Sequence, residues 1–251
     1  MISIDLNCDM GESFGAWRMG SDAEIMNYVS SVNVACGFHA GDATVMRQTV
    51  EAAAKKNIAI GAHPSFPDLQ GFGRREMKMS EQEIFDVVIY QISALSGICR
   101  ASGAKMRHVK PHGALYNSAA INQPIAAAIV RAVKAFDETL SFYGLSSSYL
   151  ISEAEKIKLK TVSEVFADRT YQTDGTLTPR VQANALIENE RDSIAQILQM
   201  IKTQTVTTVD GQIIPIKAET VCIHGDAPRA ARLARAIRQS LIENNIKIGA
   251  V

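Results

Sequence analysis

Six times along this 251-residue chain, a short apolar run passes directly into a cluster of glycine, histidine and acidic residues. The run at 2–6 carries Asp5 and leads to Asn7, Asp9 and Gly11-Glu12-Ser13. The run at 29–36 leads to Gly37-Phe38-His39-Ala40-Gly41-Asp42, and that at 58–62 to His63-Pro64-Ser65-Phe66-Pro67-Asp68. The run at 106–109 holds His108 and leads to Lys110-Pro111-His112-Gly113. Residues 160–166 include Glu164 and lead to Asp168 and Arg169, and 219–223 lead to His224-Gly225-Asp226. A further apolar run, 149–151, also reads as a strand. Helical patterns separate these runs, so the strands are expected to pair in parallel through crossovers. In a parallel sheet or barrel all C-terminal strand ends lie on one face, which is where such folds place their sites. All five histidines sit at or beside those ends.

Start signals locate several of the helices. Asp42 is placed to cap a helix to about residue 56, with Val45, Met46, Thr49, Val50 and Ala53 on one face. Ser80-Glu81-Gln82-Glu83 is a capping box, followed by the stripe Ile84, Val87, Val88, Ile92 and Leu95. Asp226 is placed to cap a last helix in which Ala230, Ala234, Ile237 and Leu241 recur at helical spacing, with Pro228 in its first turn. Residues 205–216 break the alternation. They read as a β-hairpin turning at Asp210-Gly211, with Pro215 marking an edge; it is either a surface excursion or a partner-docking arm.

Composition removes several classes. With 26 basic against 26 acidic residues, no cationic excess exists for a nucleic-acid backbone. The apolar runs are too short and interrupted for the ~20 residues of a membrane span, and the N-terminus lacks a basic leader. The four cysteines are far apart with no CxxC pair, which suits buried thiols in a reducing cytoplasm. Neither GxxxxGK[ST], nor GxGxxG after a strand, nor GxSxG is present.

The strand-end groups supply acid–base chemistry near neutrality. Asp5, Asn7 and Asp9 alternate and therefore share one face of an extended strand. Asp5, Asp9, His39 and His63 also form a donor set for a divalent metal, though no tight spacing such as HExxH selects that reading over acid–base work. Lys110 suits a developing oxyanion or phosphoryl charge. Arg74-Arg75 suit a carboxylate or phosphate, unless Asp68 and Glu76 simply pair with them.

The stretches DLNCDMGESFG (5–15), NVACGFHAGD (33–42), GAHPSFPDLQGFGRR (61–75), VKPHGALYN (109–117), EVFADRTY (164–171) and CIHGD (222–226) together resemble the LamB/YcsF family over nearly the whole chain. The resemblance implies an α/β fold in one domain, 1–251: a distorted (β/α) barrel of about seven parallel strands, related to glycoside hydrolases and deacetylases. It implies a cytoplasmic part in ATP-dependent opening of 5-oxo-L-proline to L-glutamate, with ATP as co-substrate and two partner subunits, B and C. Self-association and a bound divalent metal stay open. On that reading Asp9 or His39 activates water, Lys110 stabilises phosphoryl charge, and His63 and His112 move protons. Arg74 or Arg169 holds the substrate carboxylate, and Asn7, Glu164 and His224 complete the substrate contacts. The alternatives are a metal-dependent deacetylase or amidohydrolase of carbohydrates and a non-catalytic, substrate-presenting subunit.

Overall fold

The computed structural model describes residues 2–225 and 229–251. Six strands pair in parallel in chain order: β1 (Ser3–Met10), β2 (Ser31–Ala35), β3 (Ala59–His63), β4 (Met106–Val109), β5 (Ser141–Leu145) and β6 (Lys160–Phe166). A separate antiparallel pair follows, β7 (Thr205–Thr207) and β8 (Ile213–Pro215). Strand β9 (Thr220–Ile223) then enters between β6 and β1 and closes a barrel of seven parallel strands. The short β10 (Lys247–Ile248) pairs with the start of β1. Around the barrel lie α1 (Asp22–Ile25), α2 (Ala43–Lys55), α3 (Glu81–Ala101), α4 (Gly113–Ile121), α5 (Gln123–Phe136), α6 (Tyr149–Lys156), α7 (Glu190–Thr203) and α8 (Ala230–Glu243).

The local signals act as their chemistry requires. Asp42 Oδ1 accepts the amides of Thr44 (2.8 Å) and Val45 (2.9 Å) and starts α2, whose five apolar-face positions are all buried. Ser80 and Glu83 cap each other's backbone at the start of α3. Ala230, Ala234, Ile237 and Leu241 form the buried stripe of α8, while the expected cap Asp226 and Pro228 lie outside the described residues. By length and composition α3 is apolar enough to cross a membrane, contrary to the sequence expectation. Its buried residues, from Ile84 to Cys99, instead pack toward β3, β4 and α5, which accounts for that character.

Two expectations are corrected. Residues 149–151 are the first turn of α6, and the strand of that region is β5, whose sequence SFYGL dilutes the apolar signal with Ser141 and Gly144. The hairpin loop holds three residues, not two. Gly211 N donates to Thr208 O (2.9 Å) and Thr208 N to Gln212 O (2.8 Å), with Gly211 at φ +77°, a type I turn followed by a left-handed residue.

Alternation along the strands divides two cores. Outward residues such as Leu6, Val32, Ile60, Val109, Phe142 and Val221 are buried against the helices. Inward residues are largely polar: Asp5, Asn7, Asp9, Asn33, His63, His108, Lys110, Tyr143, Glu164 and Thr220 are all buried. A (β/α)-barrel interior is ordinarily filled by branched apolar side chains. A polar filling is stable only if its groups bond one another, because an unpaired buried polar group costs about 1–3 kcal/mol.

Candidate functional site

The interior is built in layers that climb β1. At the lowest layer Asp5 accepts hydrogen bonds from Ser30 Oγ (2.6 Å), Ser31 Oγ (2.7 Å), Thr220 Oγ1 (2.7 Å) and Tyr143 OH (3.1 Å). All four donors are neutral, so burial prevails and raises the Asp5 carboxyl above its usual range.

One layer up, Asn7 Nδ2 donates to Glu164 Oε1 (2.9 Å) and Thr220 Oγ1 (2.8 Å), while its Oδ1 accepts from Asn33 Nδ2 (2.7 Å). Glu164 Oε2 accepts from Tyr116 OH (2.7 Å). Asn33 Oδ1 is therefore an acceptor, and His108 Nε2 donates to it at 2.8 Å. His108 fits only because Gly61 faces it: a Cβ on Gly61 would overlap the imidazole ring. Burial, followed by Lys110 and His63, lowers the His108 pKa to about 3, so the ring is neutral.

The next layer is ionic. Lys110 Nζ lies 3.0 Å from Asp9 Oδ1, 2.8 Å from Glu164 Oε1, 3.3 Å from Asn7 Oδ1 and 3.0 Å from Cys222 Sγ. Burial works against the ammonium, yet the surrounding anions, Asp9 foremost, hold it well above the usual lysine range. Burial alone would raise the Asp9 carboxyl, but His63 and Lys110 bring it well below the usual carboxylate range. Both groups are thus charged, and each is the other's compensation for leaving water.

Above this pair the imidazoles converge. His63 Nδ1 donates to Lys110 O at 2.7 Å, and His112 Nε2 donates to Phe72 O at 2.9 Å, because a carbonyl oxygen only accepts. With those two nitrogens donating, the remaining ones, His63 Nε2 and His112 Nδ1, face one another at 2.9 Å. Such a pair needs a proton or a metal ion between its members. Asp9 Oδ2 is 3.4 Å from His63 Nε2, and Glu12 Oε1 is 3.8 Å from His112 Nδ1 and 3.7 Å from His39 Nε2. His39 stacks on His112 with centroids 3.8 Å apart, and neither of its nitrogens has a hydrogen-bond partner among the described residues. Burial, then the neighbouring imidazoles, lowers both His39 and His112 well below the usual histidine range. Glu12, His39, His63 and His112 each bring one donor atom within 4.8 Å of the others, a nitrogen-rich set that fits a divalent metal. Gly73 closes the cluster from above. Its φ of +63° and the nearness of His39 and His112 to its missing Cβ both require glycine.

His224, beyond β9, accompanies this group: Asp9, Cys222 and His224 bring one donor each within 4.8 Å. Its Nδ1 lies 2.8 and 2.9 Å from the two carboxylate oxygens of Asp168.

The structure thus gathers Asp9, His39, His63, Lys110 and His112 at one end of the barrel, with His224 beside them. Asn7 and Glu164 lie beneath Lys110 and use their polar atoms inside the barrel. Asp5 lies deeper still, tied to hydroxyls, and of the expected metal set Asp5, Asp9, His39 and His63 the four-donor group retains His39 and His63, joined by Glu12 and His112, while Asp9 groups with Cys222 and His224. Arg169 is buried and donates to Thr178 O (2.5 Å) and Ala185 O (3.3 Å), fastening the segment after β6. Arg75 pairs with Asp68, whereas Arg74 is exposed, its guanidinium 4.8 Å from the centre of the Phe72 ring. Sequence reasoning placed Glu12, His108 and Asp168 in the strand-end clusters without giving them a role, and it passed over Asn33 and Tyr116. His108 was readable in principle, since it shares strand parity with Lys110.

Similarity to known proteins extends over nearly the whole chain. Residues 4–251 match the LamB/YcsF family. A protein of Bacillus cereus strain Q1, named as the A subunit of 5-oxoprolinase, is 56% identical over 249 residues, 99% of this chain and 98% of that protein. A Bacillus anthracis protein of the same name is 55% identical over 249 residues, with the same coverage. Among solved structures, the lactam utilization protein from Thermus thermophilus superposes with a TM-score of 0.94 at 42% identity, covering 100% of both chains. A putative cellobiose-phosphate cleavage protein of Enterococcus faecalis superposes at TM-score 0.59 with 13% identity over 99% of this chain and 97% of that one, a likeness of fold alone.

Proposed function

The chain belongs to the LamB/YcsF family, and from that premise we propose that it opens the cyclic amide of 5-oxo-L-proline to give L-glutamate. It does so as one component of an enzyme that couples the opening to ATP hydrolysis, with partner subunits B and C. The observation that carries this reading is near-complete coverage, at 55–56% identity, by relatives named as the A subunit of 5-oxoprolinase. Its four free, buried cysteines suit a cytoplasmic complex.

The chemistry explains the need for ATP. A five-membered lactam is an unactivated amide, and its amine stays tethered after opening, which favours reclosure. Transfer of the γ-phosphoryl group to the lactam oxygen makes C5 electrophilic. Water adds to C5 and the ring nitrogen departs with the C5–N electron pair, leaving an acyl phosphate. A second water releases phosphate and glutamate. No glycine-rich phosphate loop occurs in this sequence, so the nucleotide site is assigned to the partners.

The residues of the chain divide this work. The Lys110 ammonium, already ion-paired and fixed, stabilises negative charge developing on the C5 oxygen or the phosphoryl group. Asp9 orients water and His63 takes its proton, with His112 against His63 Nε2 as the next proton station. Asn7, Glu164 and Tyr116 position Lys110 from below. A divalent metal held by Glu12, His39, His63 and His112 would take up the His63 and His112 lone pairs in place of that proton relay, supplying a Lewis acid and lowering the pKa of a bound water.

The test is reconstitution. The chain combined with its B and C partners should release glutamate and phosphate from 5-oxo-L-proline and ATP, and omission of any one of the three should stop it. A complete complex without turnover would refute the assignment. ATP-independent release of acetate from an N-acetylated sugar would replace it with the deacetylase reading.

A further inference from the structure

The imidazole cluster and Lys110 are sealed: His39 and His63 are 0% exposed, Lys110 2% and His112 5%. A cavity of about 370 Å³ lies beside them, between the segment before α7 and the start of α8. His224 and Asp168 form part of its wall, with Ile187, Ser193, Arg229 and Leu233. His224 connects the two regions, because it lines the cavity and also approaches Asp9 and Cys222.

We infer that this cavity receives the small cyclic amide and that His224 is a catalytic acid, protonating the ring nitrogen as it leaves C5. The inference rests on the lactam-opening reading and assigns that reaction its pocket and its proton donor. Asp168 grips Nδ1 with both oxygens, so that nitrogen is the donor and Nε2 is the working atom. Burial alone would raise the Asp168 carboxyl. His224, then Arg180 and Arg169, bring it below its usual range, so an anion faces the imidazole. Phe166 stacks on the His224 ring at 5.5 Å and 21°, and Lys110 Nζ lies 5.4 Å from the centre of the same Phe166 ring. The proton donor and the oxyanion-stabilising ammonium are therefore set by one shared aromatic side chain.

The cavity matches the ligand part by part. Ile187 and Leu233 give an apolar wall for ring methylenes. Arg229 opens α8, and Arg232 one turn on pairs with Glu190 (3.1 Å), leaving Glu188 as the wall's other glutamate; Arg229 and the helix amino end, which has no side-chain cap among the described residues, favour a carboxylate there. The Ser193 hydroxyl is buried without a hydrogen-bond partner among the described residues, leaving it available to an amide. In the step itself His224 is held through its Nδ1–H by the Asp168 carboxylate. Its Nε2 proton passes to the ring nitrogen as the C5–N electron pair moves onto nitrogen. The neutral ring is reprotonated from solvent through the cavity, while Nδ1–H stays on Asp168. His224 is the catalytic residue and Asp168 its positioning residue.

The test uses the enzyme assembled with its B and C partners. His224→Ala should lower kcat roughly 10²–10⁴-fold, the usual scale for a lost general acid, and added imidazole should restore part of it. Asp168→Asn should lower kcat with little change in KM. Leu233→Trp, which fills the cavity while leaving His224 and Asp168 in place, should raise KM at least about tenfold. If His224→Ala is unstable, His224→Gln takes its place, and in the wild-type enzyme 5-oxo-L-proline should shift the His224 ring resonances. Wild-type kcat in His224→Ala or His224→Gln, or wild-type KM in Leu233→Trp, would overturn the inference. If Lys110→Met is inactive in the same experiment, lactam opening survives that result. A wild-type complex that does not turn over 5-oxo-L-proline would overturn both.

Discussion

Two acids on one strand, Asp5 and Asp9, are buried at opposite ends of the barrel interior and are shifted in opposite directions. Around Asp5 the partners are four hydroxyls, and burial raises its carboxyl. Around Asp9 they are an ammonium and an imidazole, and these outweigh burial to hold it well below the usual range. Burial is common to both ends and does not by itself make a reactive group. What separates the ends is buried charge of opposite sign, fixed before any substrate arrives, and such preorganised charge is what stabilises a developing anion. The hydroxyl-lined end instead behaves as scaffold, holding β1, β2, β5 and β9 in register through Asp5.

Substitutions at the two ends should therefore part widely. Asp9→Asn should reduce turnover of the assembled enzyme by about 10³-fold, whereas Asp5→Asn should change it less than about threefold. Comparable losses from both would erase the distinction. Next in size is Gly61→Ala, whose added methyl overlaps the His108 ring; thermal or urea unfolding should show a loss of about 2–3 kcal/mol.

The acid dependence of stability sharpens the contrast further. His108 falls from the usual 6.5 to about 3 in the fold, so between those values the unfolded chain takes a proton that the folded one refuses. Its contribution is complete above about 6.5 and is lost as pH falls toward 3, and His108→Gln should flatten that part of a urea-midpoint profile. The depressed Asp9 acts in the same sense at lower pH. Asp5 has the opposite sign: its raised carboxyl favours the fold below the unfolded value of 3.8, and that gain is lost as pH rises through the folded value. The smallest effect follows. Asp5→Asn should cost about 1–2 kcal/mol, more at low pH than at neutrality, by denaturant unfolding at each pH.

Much of this was legible before any coordinates. The runs at 2–6, 29–36, 58–62, 106–109, 160–166 and 219–223 all fall on barrel strands, because a strand buried on its outer face needs continuous apolar residues there. The Asp42 and Ser80 caps were plain because capping is local chemistry. Strand β5 was not, since its interior-facing Ser141 and Tyr143 belong to a polar filling that propensity does not anticipate. Depth was equally hidden. Alternation places Asp5 and Asp9 on one face, but four residues of strand separate them by about 13 Å, enough to move Asp5 out of the donor set. Glu12 was given no role for a different reason. It follows Gly11, at φ +71°, where the chain leaves the strand and parity no longer tells which way a side chain points.

The central claim is that the buried ion network at the C-terminal end carries the reaction, and Lys110 stands at its centre. The most direct measurement is the rate of 5-oxo-L-proline-dependent phosphate release by the complex carrying Lys110→Met, with folding verified by circular dichroism. A fall of about 10³-fold or more in a folded complex is the expected result; wild-type turnover in that variant would contradict the account.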